Sequence, residues 1–131
     1  MRVGYFQFAP VFGDIKRNLD TVANRVTQVE CDLLVLPELF NTGYQFVSLD
    51  EAKALAEDVP GGPATELLLK LAAEQGMHLV AGLAERAGDR LYNSAVLVGP
   101  AGLIGVYRKT HLFFEENLFF SPGDKIGRAH V

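Results

Sequence analysis

Four consecutive apolar residues, Leu33-Leu34-Val35-Leu36, with a proline straight after them, constrain this chain more than any other segment. A strand with one wet face alternates apolar and polar residues, whereas an uninterrupted run reads as a strand covered on both faces, the habit of α/β sheets. Pro37 has no N–H to give to a ladder, so it ends the strand and leaves Glu38 just beyond it. Upstream, Ile15, Leu19, Val22, Val26 and Val29 recur at spacings of four and three, which places them on one face of a helix. Asp14 is its N-cap, and Lys16, Arg17, Asp20, Asn24, Arg25 and Gln28 make its polar face.

The rest of the chain extends this pattern. Val3 to Ala9 reads as an aromatic-rich strand closed by Pro10. A short helix is expected from Leu49 to Glu57, and a longer one from Pro63 to Gly76. In the longer helix Ala64, Leu67, Leu68, Leu71 and Ala72 face inward, while Glu66, Lys70 and Glu74 form an exposed series four residues apart. Met77–Glu85, Leu91–Val98 and Leu103–Arg108 read as strands, joined by turns at Ala87-Gly88-Asp89 and Gly99-Pro100-Ala101-Gly102. Strand, helix, strand, helix and then hairpins specify an α/β fold with a mixed sheet rather than an all-parallel one. At 131 residues the chain suits one domain.

Composition excludes several functions. A net charge of −4 with no basic run gives no footprint for nucleic acid or an anionic membrane. The longest apolar stretches are strand-sized, so no membrane-spanning helix is expected, and the first residues lack the pattern of a signal peptide. One cysteine, Cys31, rules out an internal disulfide framework and a Cys-rich zinc site, and a reducing compartment, the cytoplasm, fits best. No glycine-rich phosphate loop is present to suggest a nucleotide cofactor.

Two segments carry candidate chemistry. In Leu36-Pro37-Glu38-Leu39-Phe40-Asn41-Thr42-Gly43-Tyr44, a carboxylate stands at the carboxyl end of a buried strand, where open α/β sheets bind ligands. Phe40 and Tyr44 nearby would raise its pKa toward neutrality, as a general base needs; the competing reading is a loop glutamate held by backbone N–H groups. In the segment from Tyr107 to Asp124, Lys109 closes a hairpin strand and can project toward Glu38, where a half-buried ammonium would stabilise an oxyanion. A strand-end lysine in solvent is the alternative. Glu115-Glu116 among phenylalanines needs a partner.

Taken in order, LPELFNTGY, LYNSAVLVGPAGLIGVYRKTHLF and ENLFFSPGD resemble the nitrilase or carbon–nitrogen hydrolase family from Arg2 to about Lys125. The resemblance implies a four-layer α-β-β-α sandwich, of which this chain is the N-terminal part. It implies hydrolysis of a non-peptide C–N bond in an amide, nitrile or N-carbamoyl compound, through a thioester, with no metal or cofactor. By the motif match Glu38 is the general base, Lys109 the cation of the tetrahedral intermediate, and Glu116 the second glutamate that positions lysine and substrate. Tyr44 matches a pocket position and Asn93 a scaffold position. The amidase or carbamoyl-amidase branch is the nearest, and a homodimer or larger homo-oligomer of the complete protein is implied.

The family pattern places its nucleophilic cysteine after the next strand, so the chain is expected to stop short of it and to be inactive alone. Cys31 precedes the buried strand and lies on the wrong side of it from Glu38, which makes it a small buried hydrophobe. His111 is a scaffold residue beside the lysine, not a partner of a thiol. Residues 1–125 are therefore read as a partial hydrolase domain. Residues 126–131 depart from the pattern; the codons ATC GGA AGA GCA CAC GTC would encode them and resemble a sequencing-library adapter, which suggests a non-native tail. An acyltransferase using the same thioester, or a naturally short non-catalytic subunit, are the alternative functions.

Overall fold

The strand read from the run at Leu33 sits second in a six-stranded mixed sheet, in a computed structural model that describes residues 1–125. The expected foreign tail, 126–131, lies outside the described residues. Strands β1 (Val3–Tyr5), β2 (Leu33–Val35) and β4 (His78–Ala87) run parallel, with Tyr5, Val35 and Val80 in register. Hairpins then add β5 (Arg90–Gly99) and β6 (Gly102–Arg108) antiparallel, and a two-residue strand β3 (Glu57–Asp58) pairs with the far end of β4. The sheet is mixed and the α/β class holds.

Helices α1 (Ile15–Val26) and α3 (Pro63–Gln75) cover one face. Val22 and Val26 of α1 and Ala64, Leu68, Leu71 and Ala72 of α3 bury themselves against Leu34, Leu79, Leu83, Val96 and Val98. The Asp14 carboxylate accepts from Arg17 N and caps α1, while α3 starts at Pro63 and ends on Gly76 in the left-handed conformation at φ 65°. A second core lies beyond, where Leu39, Phe46 and Phe120 pack with Ala52 of helix α2 (Leu49–Leu55) against Ala84 and Leu91. No helix among the described residues is long and apolar enough to cross a membrane.

Three expectations are corrected. Only Leu34 and Leu36 of the apolar run are buried; Val35 is 37% exposed, because the second core covers only the Ala84 and Leu91 end of that face and no described residue lies over the end at Val35. Tyr5, Val35, Val80 and Leu97 line up across it, and Tyr5 is 78% exposed. The first strand stops at Tyr5 rather than Ala9, since its partner β2 itself ends at Val35, whose carbonyl accepts from Phe6 N at 2.9 Å. The short helix ends at Leu55, and Glu57 joins β3.

Candidate active site

Glu38 stands where the chain leaves β2 and crosses β4. Gly82 N donates to Pro37 O at 3.2 Å and Phe40 N to Gly82 O at 2.9 Å, so the backbone on both sides of Glu38 is tied to one glycine. A Cβ on Gly82 would lie 2.6 Å from the Glu38 Cα, which is why a residue without a side chain is needed there. Leu39 adopts φ 48°, rare for a residue with a side chain, and its strain is held by burial. Leu39 and Phe40 are both fully buried but in different cores, so the two rings of packing wedge the chain just after the carboxylate.

Buried polar groups hold the loop that follows. Asn18, on the inner face of α1, donates to Val11 O at 2.8 Å and to Asn41 O at 2.9 Å. The Glu57 carboxylate accepts from Asn41 Nδ2 at 3.3 Å, Ala64 N at 3.1 Å and Thr65 N at 2.9 Å, so it caps α3 and ties the loop to that helix. None of this was visible in the helix and strand patterns. The available signal was a polar residue on an apolar stripe, since Asn18 lies three residues after Ile15 and four before Val22.

Lys109 arrives from the other side. Arg108 is fixed on the helix face by the buried Glu85, at 2.5 Å through Nη2 and 2.9 Å through Nε, and its guanidinium stacks 4.0 Å above the Tyr92 ring. Alternation along the strand then turns Lys109 to the opposite face, with its N–H on Asn93 O at 2.8 Å. Gly123 N donates to Lys109 O at 2.9 Å, and a side chain on Gly123 would overlap the Arg108 carbonyl. Glu116 comes from a 3₁₀ turn (Phe114–Leu118), its Oε2 accepting from Phe113 N at 2.6 Å.

The structure brings Glu38, Lys109, Glu116 and Asn93 together. Lys109 Nζ lies 2.9 Å from Glu38 Oε1 and 2.9 Å from Glu116 Oε2. Asn93 Nδ2 donates to Glu38 Oε1 at 2.6 Å and to Glu116 Oε1 at 2.7 Å. Asn93 thus has a direct place in the cluster, where the sequence suggested only a scaffold role. Glu116 has the partners that a carboxylate among phenylalanines needs, in Lys109 and Asn93, while Glu115 is exposed.

The expected rise in the pKa of Glu38 is overturned. Burial pushes this carboxyl up, but hydrogen bonds from Tyr44, Lys109 and Asn93 and the lysine charge outweigh it and hold Glu38 below the ordinary carboxylate range. Burial lowers Lys109, yet its bonds to Glu38 and Glu116 raise it above the ordinary lysine value. Tyr44, beside Glu38, is pushed well above the usual phenol range by burial and by that carboxylate. The cluster therefore holds the Lys109 ammonium against an ionised Glu38, with a neutral phenol at its edge.

A cleft of about 440 Å³ opens on this cluster, bounded by Glu38, Tyr44, Lys109, Phe113, Phe114 and Glu115. On the far side of Glu38 and Lys109 a second hollow, about 220 Å³, runs over Gly82 and Asn93 onto the uncovered sheet. Cys31 lies at the other end of β2, beside Met77, and is half-buried against the helix-side core rather than fully enclosed. His111 is exposed, its Nδ1 3.0 Å from Thr110 Oγ1.

Residues 2–130 match the family model described as Carbon-nitrogen hydrolase. A nitrilase of Pyrococcus abyssi (strain GE5 / Orsay) is 43% identical over 127 residues, covering 95% of this chain and 48% of the relative. An (R)-stereoselective amidase of Pseudomonas sp is 37% identical over 127 residues, covering 95% and 45%. The crystal structure of an N-terminal amidase superposes with a TM-score of 0.84 at 27% identity, over 94% of this chain and 31% of that one. The chain spans about half the length of the curated relatives it matches.

Proposed function

Because the chain belongs to the carbon–nitrogen hydrolase family, we propose that the whole protein hydrolyses a non-peptide C–N bond, in an amide, nitrile or N-carbamoyl compound, by Glu–Lys–Cys chemistry. Residues 1–125 are the first part of its domain, residues 126–131 a foreign tail, and the nucleophilic cysteine comes from chain beyond residue 131. The observation that carries the reading is one ammonium held at 2.9 Å by each of two carboxylates, at the edge of an uncovered sheet face. A second sheet laid on that face would complete a four-layer sandwich and bring a thiol to the hollow beside Asn93.

In this reading Glu38 takes the thiol proton as sulfur attacks the carbonyl or nitrile carbon. For an amide, the oxyanion of the tetrahedral adduct is stabilised by Lys109, kept charged and in place by Glu116. Glu38 returns the proton to the leaving amine, and water, deprotonated by Glu38, then cleaves the thioester to acid and free thiol. Coverage of the open face adds burial, the influence that already pushes Glu38 up, and moves it toward the range a base for a thiol needs. Tyr44 forms one wall of the pocket. The 131-residue chain alone is inactive, and the complete protein is a cytoplasmic homodimer or larger assembly.

The test is turnover of short amides and nitriles by the complete gene product and by Glu38→Gln. Activity that falls by roughly 10²–10⁴-fold in the variant supports the assignment. Wild-type turnover in Glu38→Gln removes it.

A further inference from the structure

The cleft that opens on Glu38 and Lys109 has an unusual balance of walls. Phe113 and Phe114 stand at its mouth, each 77% exposed, with ring centroids 6.3 Å apart. Phe46 and Phe119 line its depth, their centroids 5.9 Å apart. Phe114 is held at φ 47°, so the backbone accepts a strained conformation in placing this pair. Aromatic faces of this kind offer large contact to an apolar group, while their electron-rich faces offer nothing to an anion.

The charges point the same way. Among the described lining residues Glu38, Glu115 and Glu116 are acidic and Lys109 is the one cation. Lys109 already faces two carboxylates. Arg108, the neighbouring cation on β6, is committed to Glu85 on the opposite face of the sheet. An acyl chain ending in a carboxylate would bring a further negative charge among these residues and find no free donor of opposite sign.

We propose that the acyl group taken by this cleft is apolar and carries no carboxylate, and that Glu115 excludes acyl chains that carry one. The inference rests on the hydrolase reading and names the substrate class within it. Glu115 acts here as a specificity residue, with no part in the covalent steps.

The experiment compares matched pairs with the complete gene product: butyramide against succinamate, and valeramide against glutaramate, in which a methyl replaces the carboxylate. The neutral member of each pair is expected to show a kcat/KM at least about tenfold higher. Glu115→Lys should narrow that ratio by improving the anionic member, chiefly through KM, and Phe114→Ala should weaken valeramide more than butyramide. Equal or better turnover of succinamate, or a ratio that Glu115→Lys leaves unmoved, overturns the proposal while leaving the hydrolase reading intact. Absence of turnover on all four amides and on butyronitrile and valeronitrile overturns the hydrolase reading, and this inference with it.

Discussion

The Asn93 side-chain amide donates to Glu38 Oε1 at 2.6 Å, and its remaining hydrogen goes to Glu116 Oε1 at 2.7 Å. Asn93 is 4% exposed, so its amide depends on these two carboxylates for its partners. With Lys109 between the same two carboxylates, four side chains from three segments of the chain fix one another.

Asn93→Asp should be among the most damaging near-isosteric changes in the complete protein. It replaces two charge-assisted bonds, each worth about 1.5–3 kcal/mol, with a third carboxylate facing two others. We expect kcat to fall roughly 10²-fold or more and the acid limb of the pH profile to move up. Asn93→Gln, which keeps the amide, should retain more activity. Kinetics across pH on both variants checks this, and an unmoved acid limb in Asn93→Asp would show that the amide does not control Glu38.

Gly82→Ala should push Glu38 out of place, because the new Cβ would lie 2.6 Å from the Glu38 Cα. Overpacking of this kind costs about 1–3 kcal/mol. Gly4→Ala is the control, since a Cβ there meets only Leu34 Cδ1 at 3.4 Å, an ordinary contact on the helix-covered side. Turnover by Gly82→Ala should fall further than its melting temperature explains, whereas Gly4→Ala should be close to wild type in both. Equal behaviour of the two variants contradicts the role given to Gly82.

The ion cluster sets a pH window for stability. Glu38 is lowered on folding, so its contribution is present above the ordinary carboxylate range and lost as pH falls through the lowered value. Lys109 is raised, so its contribution is present below the ordinary lysine value and lost as pH rises through the raised one. The melting-temperature gap between the complete protein and Lys109→Met should therefore be widest near neutrality and close toward acid. A gap that stays constant or widens at low pH contradicts the pairing.

The 131-residue chain expressed alone should associate or bind an apolar-surface dye. Tyr5 is 78% and Val3 61% exposed on the uncovered sheet face, and β1 and β6 are both edge strands. Sedimentation and dye fluorescence test this. A monodisperse monomer that melts cooperatively and binds no dye would favour a naturally short subunit over a partial domain.

The hairpin strands and the third helix were legible because Gly88, Gly102 and Gly76, all at positive φ, punctuate them where chain reversal demands it. Val35 was misread because an apolar residue looks the same whether its face is covered or merely awaits cover. Glu38, Lys109 and Glu116 were singled out through ordered motifs and lie together in the structure, but the downward shift of Glu38 was not legible. That shift depends on Tyr44 and on Lys109 and Asn93, the last two 71 and 55 residues away in sequence and brought close by sheet register. Glu57 escaped notice because a short polar run gives no sign that its carboxylate turns inward to cap a helix.

The central claim is that Glu38 and Lys109 serve a cysteine lying beyond residue 131. Its most direct measurement is the site of the covalent acyl adduct in the complete gene product, trapped with a short amide or nitrile at low pH and located by peptide mass mapping. The account predicts a thioester on a cysteine after residue 131, with formation slowed in Glu38→Gln and Cys31 unmodified. An adduct on Cys31, or one that forms at the wild-type rate in both Glu38→Gln and Lys109→Arg, would contradict it.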